Sequence, residues 1–256
     1  MIHSTAIISE KADIAADVSI GPYVVIGDAV KIGGGTQIDS HAVINGPTKI
    51  GENNHIYQFA SIGDDPQDKK YANEPTSLVI GNRNTIREFC TISRGTTQDR
   101  GETIVGDDNW IMAYVHIAHD CVVGNKTIMA NNTTLAGHVH VGDWVICGGF
   151  SGIHQFCKIG AHAFLGMYCG VNRDVPAYTM VSGQPAVPRG INSEGLKRRE
   201  FSAEQIRNIK NAYRLTFRKG KKLSEAIEEI AVLCKRQPEL EPYLDSLRSS
   251  ERGVVR

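Results

Sequence analysis

The residues best suited to chemistry in this sequence are His119 and its neighbour Asp120. An imidazole has an ordinary pKa near neutrality, so His119 suits general-base catalysis, and an adjacent carboxylate can orient and polarise it. Gly137 offers a backbone N–H that no side chain covers, as an oxyanion hole requires. No serine or cysteine beside His119 has the surroundings of a nucleophile. The pattern therefore favours acyl transfer by direct attack of a substrate hydroxyl.

The elements that must position these residues follow a hexad repeat. Isoleucine occupies every sixth position from Ile2 to Ile62, and an apolar residue does so from Val105 to Ala177. Neither an α-helix nor a flat strand has a period of six. The repeat predicts a parallel β-helix, in which three hexads form one coil. Residues three hexads apart should then stack about 4.8 Å apart.

This stacking predicts that several polar residues gather at one corner of three successive coils. They are His119, Asp120, Gly137, His138, His154 and Gln155. Polar groups that converge on a rigid scaffold are typical of an active site. On spacing alone, catalysis and exposed polar filler fit the clustered histidines equally well, and we expect the remaining histidines, such as His162, to be filler.

The chain divides into two regions of different character. We expect the β-helix to span residues 1–190, with polar loop excursions near 64–79 and 94–104. Prolines and glycines between 176 and 190 mark its end and a linker. Residues 191–256 read as an α-helical domain, with one helix after Ser202, a second over Leu223–Arg236 and a short third over Leu240–Leu247. Such a domain would cover the last coil.

Composition narrows the function classes. The formal net charge is zero, so no overall basic field indicates nucleic acid. No apolar run is long enough to cross a membrane, and the first residues lack the pattern of a signal peptide. The six cysteines form no CxxC pair, and four of them occupy a small, inward-facing hexad position. We therefore expect a reduced, cytoplasmic protein.

Several motifs together resemble one family, the acyl-[acyl-carrier-protein]–UDP-N-acetylglucosamine O-acyltransferases, along the whole chain. The motifs are Ile56–Gly63, Gln67–Tyr71, His116–Cys121, Leu135–Val139, Ile153–Cys157 and Asn192–Arg199. The resemblance implies a left-handed parallel β-helix with a helical C-terminal domain, assembled as a homotrimer with active sites between subunits. It implies transfer of an (R)-3-hydroxyacyl chain from acyl carrier protein to the 3-hydroxyl of UDP-N-acetylglucosamine, the first step of lipid A biosynthesis.

The resemblance also implies residue roles. His119 would be the general base, Asp120 its partner, and the Gly137 N–H the oxyanion donor. The residues that would contact the sugar nucleotide are Asp68 and Lys70, with His116, His138, His154 and Gln155 lining its site. Those that would serve phosphates, uracil or the carrier protein are Asn192, Glu194, Arg198 and Arg199. No metal and no cofactor is implied beyond the phosphopantetheine thioester of the donor.

Two positions depart from better-known members. Pro185 replaces a histidine, which removes one expected contact near the uridine or ribose. Met167 stands where long-chain members have glycine, at the position that limits the acyl pocket. A methionine side chain fills space that glycine leaves open, so we expect a shorter donor, such as 3-hydroxydecanoyl, with Met167 as the acyl-chain ruler.

Three other functions compete with this one. A γ-class carbonic anhydrase shares the trimeric β-helix and could place zinc on His116, His119 and His138, although the histidine spacing differs. An acetyltransferase that uses coenzyme A is the second, and a non-catalytic binding module is the third. Metal analysis and activity with acetyl-coenzyme A would distinguish them.

Overall fold

The computed structural model describes residues 1–256 and arranges most of them as a parallel β-helix with three faces. The first sheet contains Ile7–Ile8, Val25–Ile26, Val43–Ile44, Ser61–Asp64, Thr91–Ser93, His116–Ile117, Thr134–Leu135, Gly152–Ile153 and Gly170–Val171. The second contains Asp13–Ile14, Val30–Ile32, Thr48–Ile50, Ser77–Ile80, Glu102–Val105, Val122–Val123, His140–Val141 and Lys158–Ile159. The third contains Ser19–Ile20, Gln37–Ile38, His55–Ile56, Thr85–Ile86, Trp110–Ile111, Ile128–Met129, Ile146–Cys147, Phe164–Leu165, Thr179–Ser182 and Val187–Ile191.

The strand register confirms that three hexads make one coil. Ile117 pairs with Leu135 in parallel, and Leu135 pairs with Ile153. The hexad isoleucines from Ile20 to Ile62 fill the interior, where β-branched side chains suit short strands. The four cysteines expected to face inward, among them Cys90 and Cys121, are fully buried, and no disulfide forms.

Both loop excursions leave the β-helix at the corner that joins the first sheet to the second. We call this corner the first–second corner. The excursions are shorter than expected, because Ser77–Ile80 and Glu102–Val105 are strands of the second sheet. They span residues 65–76 and 94–101, so the ladder pairs Ile62 with Ile92 and then Ile92 with Ile117 across these insertions.

Two ladders of stacked side chains run along the axis. Asparagines form a buried one, in which Asn54 Oδ1 accepts from the Asn84 N–H at 2.9 Å and Asn84 Oδ1 accepts from the Asn109 N–H at 2.9 Å. Aromatic rings form an exposed one at the corner between the third and first sheets. Its rings belong to Tyr23, His41, Phe59, Phe89 and Tyr114, and Phe150 stacks on Tyr168 further along.

The β-helix ends in a hairpin rather than the expected linker. Val187–Ile191 pairs antiparallel with Thr179–Ser182, and Pro188 lies within the last strand. The helices are α1 (Ser193–Arg198), α2 (Ala203–Phe217), α3 (Leu223–Cys234) and α4 (Glu241–Arg248), with a 3₁₀ turn over Pro238–Leu240.

Local sequence explains where the longer helices begin. Ser202 and Gln205 form the predicted capping box at the start of α2. The second expected helix, α3, ends at Cys234 rather than Arg236, and α1 was not anticipated as a helix of its own. The helices share a core with Ala177 and Tyr178, and Val255 returns to the interior of the β-helix. No helix is long and apolar enough to span a membrane.

Candidate active site

The polar residues singled out by spacing meet at the first–second corner. His119 and Asp120 follow the strand His116–Ile117, Gly137 follows Thr134–Leu135, and Gln155 follows Gly152–Ile153. Backbone hydrogen bonds link these coils, since the His138 N–H donates to His119 O and the Phe156 N–H to Gly137 O. Both excursions leave from the same corner on the two preceding coils. The polar residues of three coils and both excursions therefore share this corner.

His119 and Asp120 form a hydrogen-bonded dyad. The Nδ1 atom of His119 lies 2.9 Å from Oδ2 of Asp120. The His119 side chain is 14% exposed and that of Asp120 is fully buried. Asp120 adopts a positive φ of 58°, as residues at the corners of this β-helix commonly do. With Nδ1 directed at the carboxylate, Nε2 is the ring nitrogen available to a substrate proton.

The carboxylate of Asp120 is held from the second excursion. The Thr96 N–H lies 3.0 Å from both carboxylate oxygens, and Thr96 Oγ1 donates to Oδ2 at 2.6 Å. Thr103 Oγ1 accepts from the Asp120 N–H at 2.8 Å. Burial would raise the pKa of Asp120, but the hydrogen bonds from His119 and Thr96 outweigh it and lower that pKa. Sequence reasoning missed both threonines.

Gly137 lies directly against the His119 ring. A Cβ added to Gly137 would come within 2.5 Å of Cε1 and 2.7 Å of Nε2, so any larger residue would displace the His119 ring. The Gly137 N–H donates no hydrogen bond within the chain, whereas the N–H groups of Ala136 and His138 on either side both do. An unpaired donor beside a general base is the arrangement that stabilises a tetrahedral oxyanion.

His138 lies on the coil after Asp120 and forms one side of the site. Its Nδ1 lies 2.9 Å from Oδ2 of Asp99 and 3.9 Å from Oδ2 of Asp120. Its ring stacks on Phe156 with centroids 4.3 Å apart and meets the His119 ring edge-on at 4.9 Å. A cavity of about 440 Å³ opens beside it, lined by Gln98, Asp99, Arg100, His140, Lys158 and Glu251.

Two further predicted histidines, His116 and His154, lie on the outward face of the first sheet next to the dyad. His116 Nδ1 lies 2.7 Å from Thr91 Oγ1, and burial together with the charge of His119 lowers the pKa of His116. His154 Nδ1 lies 3.1 Å from the Gln155 carbonyl oxygen, and His154 lines a cavity of about 530 Å³. Pro185 and the glycines of this face line the same cavity, so the departure at Pro185 lies within reach of the site.

Within one chain, the other predicted residues are not brought to the dyad. Asp68 and Lys70 lie on the first excursion, where Asp68 Oδ1 accepts from the Lys70 N–H at 3.0 Å. Met167 lies at the corner between the third and first sheets and is 61% exposed. Neither the excursion residues nor Met167 contacts His119 through a hydrogen bond.

The residues expected to bind the nucleotide or carrier protein surround α1. The Asn192 side chain caps α1 by accepting from the Gly195 N–H and donates to His162 O, while Glu194 pairs with Lys197. Arg198 is exposed.

Arg199 has partners on the β-helix, with Nη1 2.9 Å from His162 Nδ1 and Nη2 3.0 Å from Trp144 O. The prediction of His162 as exposed filler was wrong: burial, reinforced by Arg199, lowers its pKa to about 4.

His119, Asp120 and His138 could in principle hold a metal ion, since their ligand atoms lie within 4.8 Å of one another. The hydrogen bonds already made by these ligand atoms favour a His119–Asp120 dyad over a metal site. Both oxygens of Asp120 already accept hydrogen bonds from Thr96, and the imidazole Nδ1 atoms face carboxylates. The expectation of a site without metal stays a prediction.

Comparisons with known proteins point in one direction. Residues 174–255 match the family model described as UDP N-acetylglucosamine O-acyltransferase, domain 2, and residues 102–137 match the bacterial transferase hexapeptide model of six repeats. A relative from Thiobacillus denitrificans, named acyl-[acyl-carrier-protein]–UDP-N-acetylglucosamine O-acyltransferase, is 56% identical over 255 residues, which cover 100% of this chain and 99% of that protein.

Solved structures agree with the sequence comparison. The UDP-N-acetylglucosamine acyltransferase of Francisella novicida superposes with a TM-score of 0.99 at 46% identity, covering 100% of this chain and 94% of that one. The UDP-N-acetylglucosamine O-acyltransferase of Moraxella catarrhalis superposes with a TM-score of 0.98 at 50% identity, covering 100% and 99%.

Proposed function

The chain belongs to the acyl-[acyl-carrier-protein]–UDP-N-acetylglucosamine O-acyltransferase family, and from that premise we propose the reaction of its site. The enzyme transfers an (R)-3-hydroxyacyl chain from acyl carrier protein to the 3-hydroxyl of UDP-N-acetylglucosamine, the first step of lipid A biosynthesis. The observation that carries the proposal is the His119–Asp120 dyad packed against the unpaired N–H of Gly137.

His119 supplies the base in this mechanism. Its Nε2 accepts the proton of the sugar 3-hydroxyl as that oxygen attacks the thioester carbonyl carbon. The C–S bond then breaks, and the imidazolium returns the proton to the departing phosphopantetheine thiolate. Asp120, ionised because its pKa is lowered, holds the Nδ1 proton and stabilises the imidazolium.

Gly137 stabilises the intermediate. The thioester oxygen gains negative charge when the carbonyl becomes tetrahedral, and the Gly137 N–H donates to it. Because the donor belongs to a rigid coil and has no partner in the chain, it needs no rearrangement when the charge develops. No protein nucleophile and no metal takes part.

The acceptor binds along the first–second corner in this proposal. Asp68 and Lys70 contact the sugar nucleotide from the first excursion, and its site is lined by His116, His138, His154 and Gln155. Around α1, Arg198 and Glu194 are both exposed and meet phosphate, uracil or carrier protein in this proposal, Glu194 while paired with Lys197. Asn192 and Arg199 have partners within the chain, so they support that surface and join ligand contacts only through their remaining donors.

Three copies of the chain assemble in this proposal, with sites between subunits. Support comes from the exposed aromatic ladder at the corner between the third and first sheets, where Tyr23, Phe59 and Tyr114 are each about half exposed. Light scattering should give three times the 28.0 kDa mass of one chain. A monomer at micromolar concentration would contradict the assembly.

The donor chain is short in this proposal, near 3-hydroxydecanoyl, because Met167 limits the acyl pocket. Met167 projects from its corner with 61% of its surface exposed in one chain. The cytoplasmic location expected from the six free cysteines is part of the same proposal.

The decisive experiment measures acyl transfer to UDP-N-acetylglucosamine from a series of (R)-3-hydroxyacyl carrier proteins. Wild type, His119→Ala and the control His3→Ala are compared, since His3 is an exposed histidine remote from the corner. We expect product from wild type and the control, and a loss of roughly 10²–10⁴-fold in His119→Ala. Activity that survives in His119→Ala would contradict the base, and no product from any donor would contradict the reaction. Wild-type activity should persist after treatment with a chelator, whereas its loss would favour a metal site.

A further inference from the structure

Thr96 is the one residue outside the dyad that donates hydrogen bonds to the carboxylate of Asp120. It is buried, and it lies on the second excursion, 24 residues before Asp120. Its N–H bridges both carboxylate oxygens at 3.0 Å, and its hydroxyl donates to Oδ2 at 2.6 Å. Oδ2 is also the oxygen that receives His119 Nδ1 at 2.9 Å. Three donors therefore fix the carboxylate plane, and two of them come from Thr96.

Thr96 is itself held from two directions. The Thr96 carbonyl oxygen accepts from the Gly101 N–H at 3.0 Å, which closes the excursion into a turn. Two residues earlier, the buried Arg94 donates from Nη1 to Gly63 O at 2.6 Å and from Nη2 to Tyr71 Oη at 3.1 Å. Arg94 also pairs with Asp65. These contacts tie the second excursion to the root of the first and leave Thr96 little freedom.

We propose that Thr96 is a positioning residue for catalysis, which fixes Asp120 so that its Oδ2 orients the imidazole of His119. This inference rests on the proposed function. Without the Thr96 hydroxyl, Oδ2 keeps only His119 and the backbone N–H of Thr96 as donors, so the carboxylate can turn about its Cβ–Cγ bond and carry the imidazole with it. With the Thr96 contacts in place, Nε2 keeps one direction, toward Gly137. A base held in one orientation reacts faster than one that rotates.

The charges around the pair give the proposal a distinctive test. His138 lies 3.9 Å from Asp120 Oδ2, Asp99 is bonded to His138, and His116 is close enough to His119 for their charges to interact. Replacing the Thr96 hydroxyl removes a neutral donor and leaves these charged groups unchanged. With one donor fewer on the carboxylate, the negative charge of Asp120 acts more strongly on the imidazolium of His119, which then loses its proton less readily. We expect the acid limb of the kcat/KM profile to move to higher pH.

The experiment compares Thr96→Val with Thr96→Ser, which keeps the hydroxyl, and with Thr133→Val as a control. Thr133 is also buried, but its hydroxyl donates to Ala130 O at 2.8 Å, away from the dyad. We expect Thr96→Val to lower kcat about tenfold to a hundredfold, with KM for UDP-N-acetylglucosamine unchanged and the acid limb raised. Thr96→Ser should restore most of kcat and the pH profile, and Thr133→Val should change neither.

Equal kcat and equal pH profiles in wild type and Thr96→Val would overturn the proposal, as would a Thr96→Ser variant no better than Thr96→Val. If Thr96→Val does not fold, Thr96→Ala makes the same comparison with a smaller side chain.

A readout without turnover separates this inference from the reaction itself. NMR of ¹⁵N-histidine protein should show a strongly hydrogen-bonded Nδ1 proton on His119 in wild type and Thr96→Ser, and a weakened one in Thr96→Val. Wild type without product but with this pattern would refute the proposed reaction and keep the positioning role. An Nδ1 signal unchanged in Thr96→Val would refute the positioning role.

Discussion

Replacing Met167 with glycine tests the acyl-chain ruler. Met167 follows His119 by eight hexads, which is between two and three coils. At about 4.8 Å per coil, this separation is about 13 Å along the axis. The face of the first sheet between them carries Gly152, where a Cβ would meet nothing within 4 Å, and Gly170, where it would meet Gln184 Cγ at 2.8 Å. A chain extending from the dyad along this face would end at the exposed Met167 side chain.

The expected size of the effect follows from the methylenes that Met167 excludes. A 14-carbon donor has four more methylenes than a 10-carbon donor, and each buried methylene contributes about 0.8 kcal/mol. Four give about 3 kcal/mol, a ceiling of roughly 200-fold in relative kcat/KM. Met167→Gly should therefore raise kcat/KM for the 14-carbon donor relative to the 10-carbon donor by about tenfold to 200-fold.

The assay is initial-rate transfer from acyl carrier proteins that carry 8 to 16 carbons, at donor concentrations below KM. Met112→Gly is the matched control, because Met112 lies at the same corner and Gly148 and Gly166 occupy the equivalent position two and three coils later. Its chain-length preference should equal that of wild type. An active Met167→Gly enzyme with the wild-type ratio of rates would refute the ruler.

Three further predictions concern the oxyanion donor, the buried ladder and pH. Gly137→Ala should lower kcat by about 10²–10³ with little change in melting temperature, because its Cβ would lie 2.7 Å from His119 Nε2; wild-type kcat would refute this packing. Asn84→Leu should cost about 1–3 kcal/mol for each polar group that it leaves unpaired, including the Asn109 N–H, and urea unfolding measures it; an unchanged midpoint would contradict the ladder. Because the pKa of His162 is lowered to about 4, the unfolded chain binds a proton there that the folded chain does not between pH 6.5 and pH 4. The contribution of neutral His162 to stability is thus present above pH 6.5 and is lost as pH falls. The melting temperature of His162→Phe should therefore fall less than that of wild type between pH 7 and pH 5. Equal falls would show that His162 does not titrate in this way.

Periodicity explains how much of the site was predictable. Where the coil is uninterrupted, a separation of three hexads fixes a contact, so Gly137 could be placed against His119 from numbering alone. The same rule fails for Thr96, because the second excursion interrupts the count and its turn is closed by hydrogen bonds that no repeat specifies. Only the structure shows which excursion residue reaches Asp120.

In the helical region, the start of α2 was predictable, whereas α1 and the contacts of the helices were not. Ser202 and Gln205 carry a local signal, and α2 begins where that signal lies. Arg199 has no such signal. Its partners, His162 and Trp144, come from two coils of the β-helix, and its interaction with them depends on how α1 packs on that surface. The motif therefore gives no sign of these packing contacts, and the role of Arg199 in ligand binding stays a prediction.

The unpaired N–H at the first–second corner has a wider consequence. The same backbone position recurs at His119, Gly137 and Gln155, and in each case the N–H donates to no acceptor in the chain. The scaffold thus repeats a potential oxyanion donor along these three coils, whereas the equivalent N–H of Arg94, one coil earlier, donates to Asp64 O. In the proposed mechanism, the coil of Gly137 differs from its neighbours by the imidazole below it and the missing Cβ above it, so two side-chain choices on a repeated backbone would locate catalysis.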